Sequence, residues 1–114
     1  MSEKKIRGGS LIARALRDKG IENVFTLSGG FCNPALEGLM ECQIDVINCP
    51  HEQIAGHLAD GHTRITRKPT VCLVGPEGFA NAVPSMMEAW GERSPVIFIT
   101  CLLYTSDAAD DRLS

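Results

Sequence analysis

The sequence lacks any uninterrupted apolar run of about 18 residues, so it is expected to contribute no membrane-spanning helix. Its first residues, Met1-Ser2-Glu3-Lys4-Lys5, lead into no apolar stretch of the secretory kind, and the expected location is the cytoplasm. Positive charge is not in excess. Eleven Lys and Arg stand against fourteen Asp and Glu, a net charge of −3, which argues against a nucleic-acid partner. The five cysteines, Cys32, Cys42, Cys49, Cys72 and Cys101, contain no C-x-x-C pair. Neither a zinc knuckle nor a thioredoxin-type motif is therefore available, and the cysteines read as reduced, small apolar residues. The P-loop pattern G-x-x-x-x-G-K-[ST] and the G-x-G-x-x-G fingerprint are both missing, which leaves ATP and NAD without support. His51, His57 and His62 lie six and five apart rather than four, and no H-E-x-x-H occurs, so a helical zinc site is not expected. Ser28 stands outside any G-x-S-x-G.

What is present suits one small α/β domain. At 114 residues, 44% apolar and 22% charged, the chain can bury a core and carries no bias toward disorder. Ser10 reads as an N-cap for a helix over 11–19, with Leu11, Ile12, Ala15 and Leu16 facing inward and Gly20 as its stop. Strands are expected at 23–27, 44–47, 70–74 and 95–99. Helices are expected at 34–42, 51–67 and 79–91, with Pro34 and Pro84 in or near first turns. In the third helix Ile54, Ala55, Leu58, Ala59 and Ile65 form the expected inward stripe. Four strands alternating with helices, apolar on both sides, predict a partial doubly wound parallel sheet with helices on both faces.

The run Cys101-Leu102-Leu103-Tyr104-Thr105-Ser106-Asp107-Ala108-Ala109-Asp110-Asp111 breaks this alternation. It is similar to one reading frame of a transposase-type sequencing adaptor. The domain is therefore expected over 1–100, with 101–114 a non-native tail that packs poorly and a sheet that ends near Ile99.

In a parallel sheet, ligands gather beyond the carboxyl ends of the strands. Three loops fall there: Ser28-Gly29-Gly30-Phe31, Cys49-Pro50-His51-Glu52-Gln53, and Gly75-Pro76-Glu77-Gly78-Phe79-Ala80-Asn81. Each alone is a weak signal. Gly29-Gly30 reads as readily as a plain turn, and Glu52 as an acidic residue favoured in a helix's first turn.

Together, in order and spacing, the segments resemble the N-terminal, pyrimidine-binding domain of thiamine-diphosphate-dependent enzymes, with acetolactate synthase catalytic subunits nearest. The resemblance runs through Gly9-Ser10-Leu11-Ile12-Ala13-Arg14-Ala15-Leu16, Gly20-Ile21-Glu22-Asn23-Val24-Phe25 and the glycine loop. Its centre is His51-Glu52-Gln53-Ile54-Ala55-Gly56-His57-Leu58-Ala59-Asp60-Gly61, and it continues to Ser94-Pro95-Val96-Ile97. It implies that Glu52 shares a proton with the aminopyrimidine ring of thiamine diphosphate, flanked by Gly29, Gly30, Gly78 and Asn81. It also implies a separate domain, absent from this sequence, that holds the diphosphate and Mg2+. It further implies a homodimer or homotetramer acting on a small 2-oxo acid or related substrate by carboligation or decarboxylation. On this reading the chain by itself is expected to be inactive.

The Gly-Pro pair of the third loop is displaced by one residue from the family's Gly-Pro-Gly pattern, which inserts Glu77 and leaves substrate class open. FAD has no support in the residues. A lyase or hydrolase acting on a 2-hydroxyacyl or diketone substrate, and a non-catalytic α/β binding domain, are the alternative readings. The presence of Glu52 counts against the second.

Overall fold

The structure, a computed structural model, describes residues 5–101. Helix α1 (Gly8–Asp18) leads to strand β1 (Asn23–Thr26), a 3-10 turn at Gly30–Cys32 and α2 (Asn33–Glu41). Then follow β2 (Asp45–Asn48), α3 (Glu52–Thr66), β3 (Thr70–Val74), α4 (Phe79–Gly91) and β4 (Val96–Thr100). All pairings are parallel and the strand order is β2-β1-β3-β4. β4 runs one residue past the expected end at Ile99. The tail after Cys101 lies outside the described residues.

Alternation along the strands explains why both sheet faces are covered. Val24, Val71 and Leu73 pack with Ala13, Leu39 and Cys42 beneath α1 and α2. Phe25, Cys72 and Val74 point to the opposite face, against Ala55, Ala59 and Ala82 of α3 and α4. Each strand thus feeds two cores, as a doubly wound sheet requires.

Two helix faces differ from expectation. α1 starts at Gly8, with Arg7 as its N-cap. Ser10 lies inside the first turn, buried, and its hydroxyl donates to Glu41 Oε2 at 3.1 Å. Gly9, Ser10 and Ala13 face inward, while Leu11, Ile12 and Ala15 are exposed. The cause is the crossing of α1 over α2: a Cβ on Gly38 would fall 2.7 Å from the carbonyl carbon of Gly9, so the helices touch backbone to backbone. In α3, Ala55, Gly56, Ala59, Asp60 and Thr63 are buried, whereas Ile54, Leu58 and Ile65 are exposed, Ile65 at 84%. The apolar stripe is wider than the buried one. Close approach to α4, where a Cβ on Gly56 would meet Ser85 Cβ at 2.5 Å, selects its small-residue half.

Asp60, only 4% exposed, anchors Arg64, which ties α3 to α4. Its oxygens accept from Arg64 Nε at 3.0 Å and Nη2 at 2.8 Å, and Nη2 also reaches Glu88 Oε1 at 3.4 Å. Burial by itself raises the pKa of this carboxyl, but hydrogen bonds from Arg64 and Ser94, with the charges of Arg64 and His57, outweigh it and hold Asp60 below the ordinary carboxylate value. A folded-state pKa below the unfolded one means that the contribution is complete above the unfolded pKa, near pH 4, and is lost as pH falls through the folded value. Arg64→Met, which takes the guanidinium donors from the buried carboxylate, is expected to lower stability at pH 7. Urea unfolding between pH 2 and 7 checks it. The variant should lose stability at neutral pH and less of it on acidification than the parent.

Candidate functional site

The strand order creates a crevice. β1 and β3 are neighbours, but the chain leaves β1 toward β2 and leaves β3 toward β4, so their loops diverge at the carboxyl edge. Such a switch point is where open α/β sheets take ligands. Side-chain and backbone bonds tie the loops around it. Ser28 N–H donates to Asn48 Oδ1 at 3.0 Å, Cys49 N–H to the Thr26 carbonyl at 2.6 Å, and the buried Thr26 hydroxyl to the Leu73 carbonyl at 2.6 Å. Sequence reasoning missed Asn48. Its signal, an Asn closing a strand opposite a Ser-Gly-Gly loop, is too common to single out.

Glu52 is the first residue of α3. The preceding His51 is extended and caps the helix, its Nδ1 accepting from Gln53 N–H at 3.0 Å. This fixes the direction in which Glu52 leaves the sheet edge. Its Oε1 accepts from Asn81 Nδ2 at 3.2 Å, and its carboxyl lies flat against the backbone of Gly78. Gly78 has φ −87° and ψ −6°, a conformation open to any residue. What demands glycine is space, since a Cβ there would lie 2.6 Å from both Cγ and Cδ of Glu52. The side chain is half-buried between the start of α3 and the start of α4.

Beneath Glu52 the β3 thiol of Cys72 is pushed up to about 12, first by burial and then by the nearby Cys49 and Glu52. Cys49 is raised by burial as well. Both stay protonated and serve as small packing residues under the carboxyl.

Gly29 and Gly30 belong to a neighbouring group. With Phe31, Gly75 and Glu77 they line a cavity of about 330 Å³ between the loops after β1 and β3. The turn from Gly75 to Gly78, closed by Gly78 N–H donating to the Gly75 carbonyl at 3.1 Å, joins the two groups. The structure therefore brings Glu52, Gly78 and Asn81 into contact, while Gly29 and Gly30 stand across that turn beside Glu77.

The remaining histidines lie elsewhere. His62 Nε2 is 3.1 Å from Asn23 Nδ2, near the amino end of β1, with its ring tilted on Phe25, and His57 is exposed. Among the described residues no three His, Cys, Asp or Glu side chains are grouped to hold a metal ion. Nor, among them, is any helix long and apolar enough to cross a membrane.

As a donor set, Glu52 and Asn81 offer one carboxyl oxygen already fixed and one free beside a backbone stripped of side chains. That suits the edge of a flat nitrogen heterocycle, which needs a carboxyl in its plane and room for the ring. Comparison with known proteins identifies the family. The profile of the family described as "Thiamine pyrophosphate enzyme, N-terminal TPP binding domain" matches residues 6–110. An acetolactate synthase large subunit of Mycobacterium tuberculosis is 38% identical over 95 residues, 82% of this chain and 17% of the relative. One from Haemophilus influenzae is 35% identical over 100 residues, 85% of this chain and 17% of the relative. A probable 2-ketoarginine decarboxylase of Pseudomonas aeruginosa is 30% identical over 106 residues, 91% of this chain and 19% of the relative. The chain thus spans less than a fifth of the length of these relatives, and within that share it belongs to the thiamine pyrophosphate enzyme family as an N-terminal TPP binding domain.

Proposed function

We propose that Glu52, Asn81, Gly78, Gly29 and Gly30 hold the aminopyrimidine end of thiamine diphosphate in a larger enzyme that makes or breaks a C–C bond beside the carbonyl of a 2-oxo acid, in the manner of acetolactate synthase. The observation that carries the reading is the Glu52 carboxyl, held at the opening of α3 between the Asn81 amide and the bare backbone of Gly78. When bound, the cofactor supplies the carbanion chemistry. This chain's part is to move one proton. Asn81 occupies Oε1, leaving Oε2 as the atom that would gain and lose a proton toward the cofactor's ring. Gly78, having no Cβ, lets the carboxyl pack against its backbone, and the glycines after β1 leave room for the ring.

The reading concerns residues 1–100, with 101–114 assigned to the adaptor-derived tail. It gives the diphosphate and its Mg2+ to a separate domain and places the enzyme in the cytoplasm. The kinship with a probable 2-ketoarginine decarboxylase supports decarboxylation as a variant of the same chemistry. Exchange of the cofactor's C2 proton, followed by quenched deuterium labelling and NMR in the complete enzyme, is the test of Glu52.

The reading also includes at least a dimer. Phe79, Val83, Met87 and Trp90 on α4, with Ile54, Leu58 and Ile65 on α3, leave a broad apolar surface on the outer side of this helix pair, Trp90 at 83% exposure. We assign this surface to the subunit interface. Met87→Glu combined with Trp90→Glu is expected to weaken association about 30-fold or more. Sedimentation velocity of the complete enzyme measures it, and an unchanged mass at low concentration would remove these helices from the interface.

A further inference from the structure

The cavity beside the candidate site is unusual in what lines it. Gly29, Gly30 and Gly75 present backbone only, so its side-chain chemistry comes from Phe31 and Glu77. Phe31 is 55% exposed. The carboxylate of Glu77 folds back over Gly75, where a Cβ would stand 3.4 Å from its Oε2. Among the described residues the ion pairs engage Glu37, Glu41, Asp60, Glu88 and Glu22, and no Lys, Arg or His engages Glu77. The start of α4 at Phe79 and the turn opening at Gly30 both bring backbone N–H groups to this edge, a field that by itself favours anions. Glu77 reverses the sign on one side of the cavity. An exposed aromatic side chain beside a carboxylate that no cation among the described residues engages, over a floor without side chains, is the arrangement that recognises a guanidinium or ammonium group. The carboxylate accepts charge-assisted hydrogen bonds and the ring face attracts the cation.

We propose that Glu77, with Phe31, is a specificity-determining residue that selects a 2-oxo acid bearing a cationic group at its far end. The proposal rests on the reading of Glu52 as the cofactor-facing carboxyl, because the Gly75–Gly78 turn places the two carboxyls on opposite sides of one short loop. A cation seated between Glu77 and Phe31 would take the far side of the cavity, leave the Gly29-Gly30 side to the aminopyrimidine, and extend the substrate away from the Glu52 side.

Two measurements test it. In the complete enzyme, kcat/KM is compared for 5-guanidino-2-oxopentanoate and for the uncharged 2-oxohexanoate. Glu77→Gln should lower the ratio of the two about tenfold or more, and Glu77→Lys should lower it further. A ratio that Glu77→Gln leaves unchanged overturns the proposal, including the case in which the variant alters only subunit association. The second measurement needs no turnover. Butylguanidinium titrated into this 114-residue chain should shift the amide resonances of Gly29, Gly30 and Gly75, and Glu77→Gln should abolish the shifts. Equal shifts from 1-butanol, or none at all, overturn it. Failure of the reading of Glu52 is separately visible, as unchanged C2-proton exchange in Glu52→Gln with the guanidinium shifts intact.

Discussion

Glu52→Gln, made in the complete enzyme, is expected to slow exchange of the C2 proton of bound thiamine diphosphate by about 10²–10⁴-fold, the range of a positioned acid–base group. The substitution is nearly isosteric. Glutamine keeps a carbonyl oxygen that can still accept from Asn81 Nδ2, so the bond that sets the side chain's plane survives. His51 continues to cap α3 through its own imidazole, independent of position 52. Folding is therefore expected to change little, and the melting temperature should stay within a few degrees of the parent. What disappears is the capacity of Oε2 to gain and lose a proton. A large fall in exchange at constant stability separates chemistry from architecture. Exchange at the parental rate would reduce Glu52 to an acidic residue at a helix start.

The sequence made the elements legible and their faces much less so. Strands stood out because Val71-Cys72-Leu73-Val74 and Val96-Ile97-Phe98-Ile99 are β-branched or apolar runs closed by Gly or Pro, and the structure shifts their ends by a residue or so. Helix faces depend on neighbours that lie far away in sequence. Ser10 read as the cap of a helix over 11–19, which left Gly8-Gly9 outside it. The pair is part of the helix itself, because at the α1–α2 crossing a Cβ on Gly9 would sit 2.8 Å from the Ala35 nitrogen. The large apolar residues of α3 looked like core for the same reason. Hydrophobicity records only that Ile54, Leu58 and Ile65 avoid water, and it is the same whether the sheet or another subunit covers them.

The site divides along the same line. Glu52 opening a helix at the sheet edge followed from the turn at Cys49-Pro50 and from the family resemblance. Its partnership with Asn81, twenty-nine positions away, needed the β2-β1-β3-β4 order, which brings the loop after β3 alongside the start of α3. Gly78 and Glu77, adjacent in sequence, serve opposite sides of one turn, and no periodicity distinguishes them. Gly78 is buried against Glu52, while Glu77 faces Gly29 and Gly30.

That close packing makes Gly78→Ala the sharper experiment. Most glycine replacements are ambiguous because backbone strain and steric contact change together. Here φ is −87°, so alanine meets no backbone penalty, and less conformational freedom in the unfolded chain is worth about 0.4–1 kcal/mol in its favour. The steric cost falls on one side chain. A Cβ 2.6 Å from both Cγ and Cδ of Glu52 leaves the carboxyl no small adjustment, so the whole side chain must swing to another rotamer and give up Asn81. Glu52 is half-buried at an open edge and can make that swing toward solvent at little cost in stability. The expected result is a chain as stable as the parent to within about 1 kcal/mol in urea. In the complete enzyme, C2-proton exchange should fall about 10²-fold, because a displacement of about 1 Å is enough to spoil proton transfer. The double variant Gly78→Ala with Glu52→Gln should then lose little beyond Glu52→Gln alone, since both changes act on the same carboxyl. Full additivity would show that Gly78 serves the site by some route other than making room for Glu52.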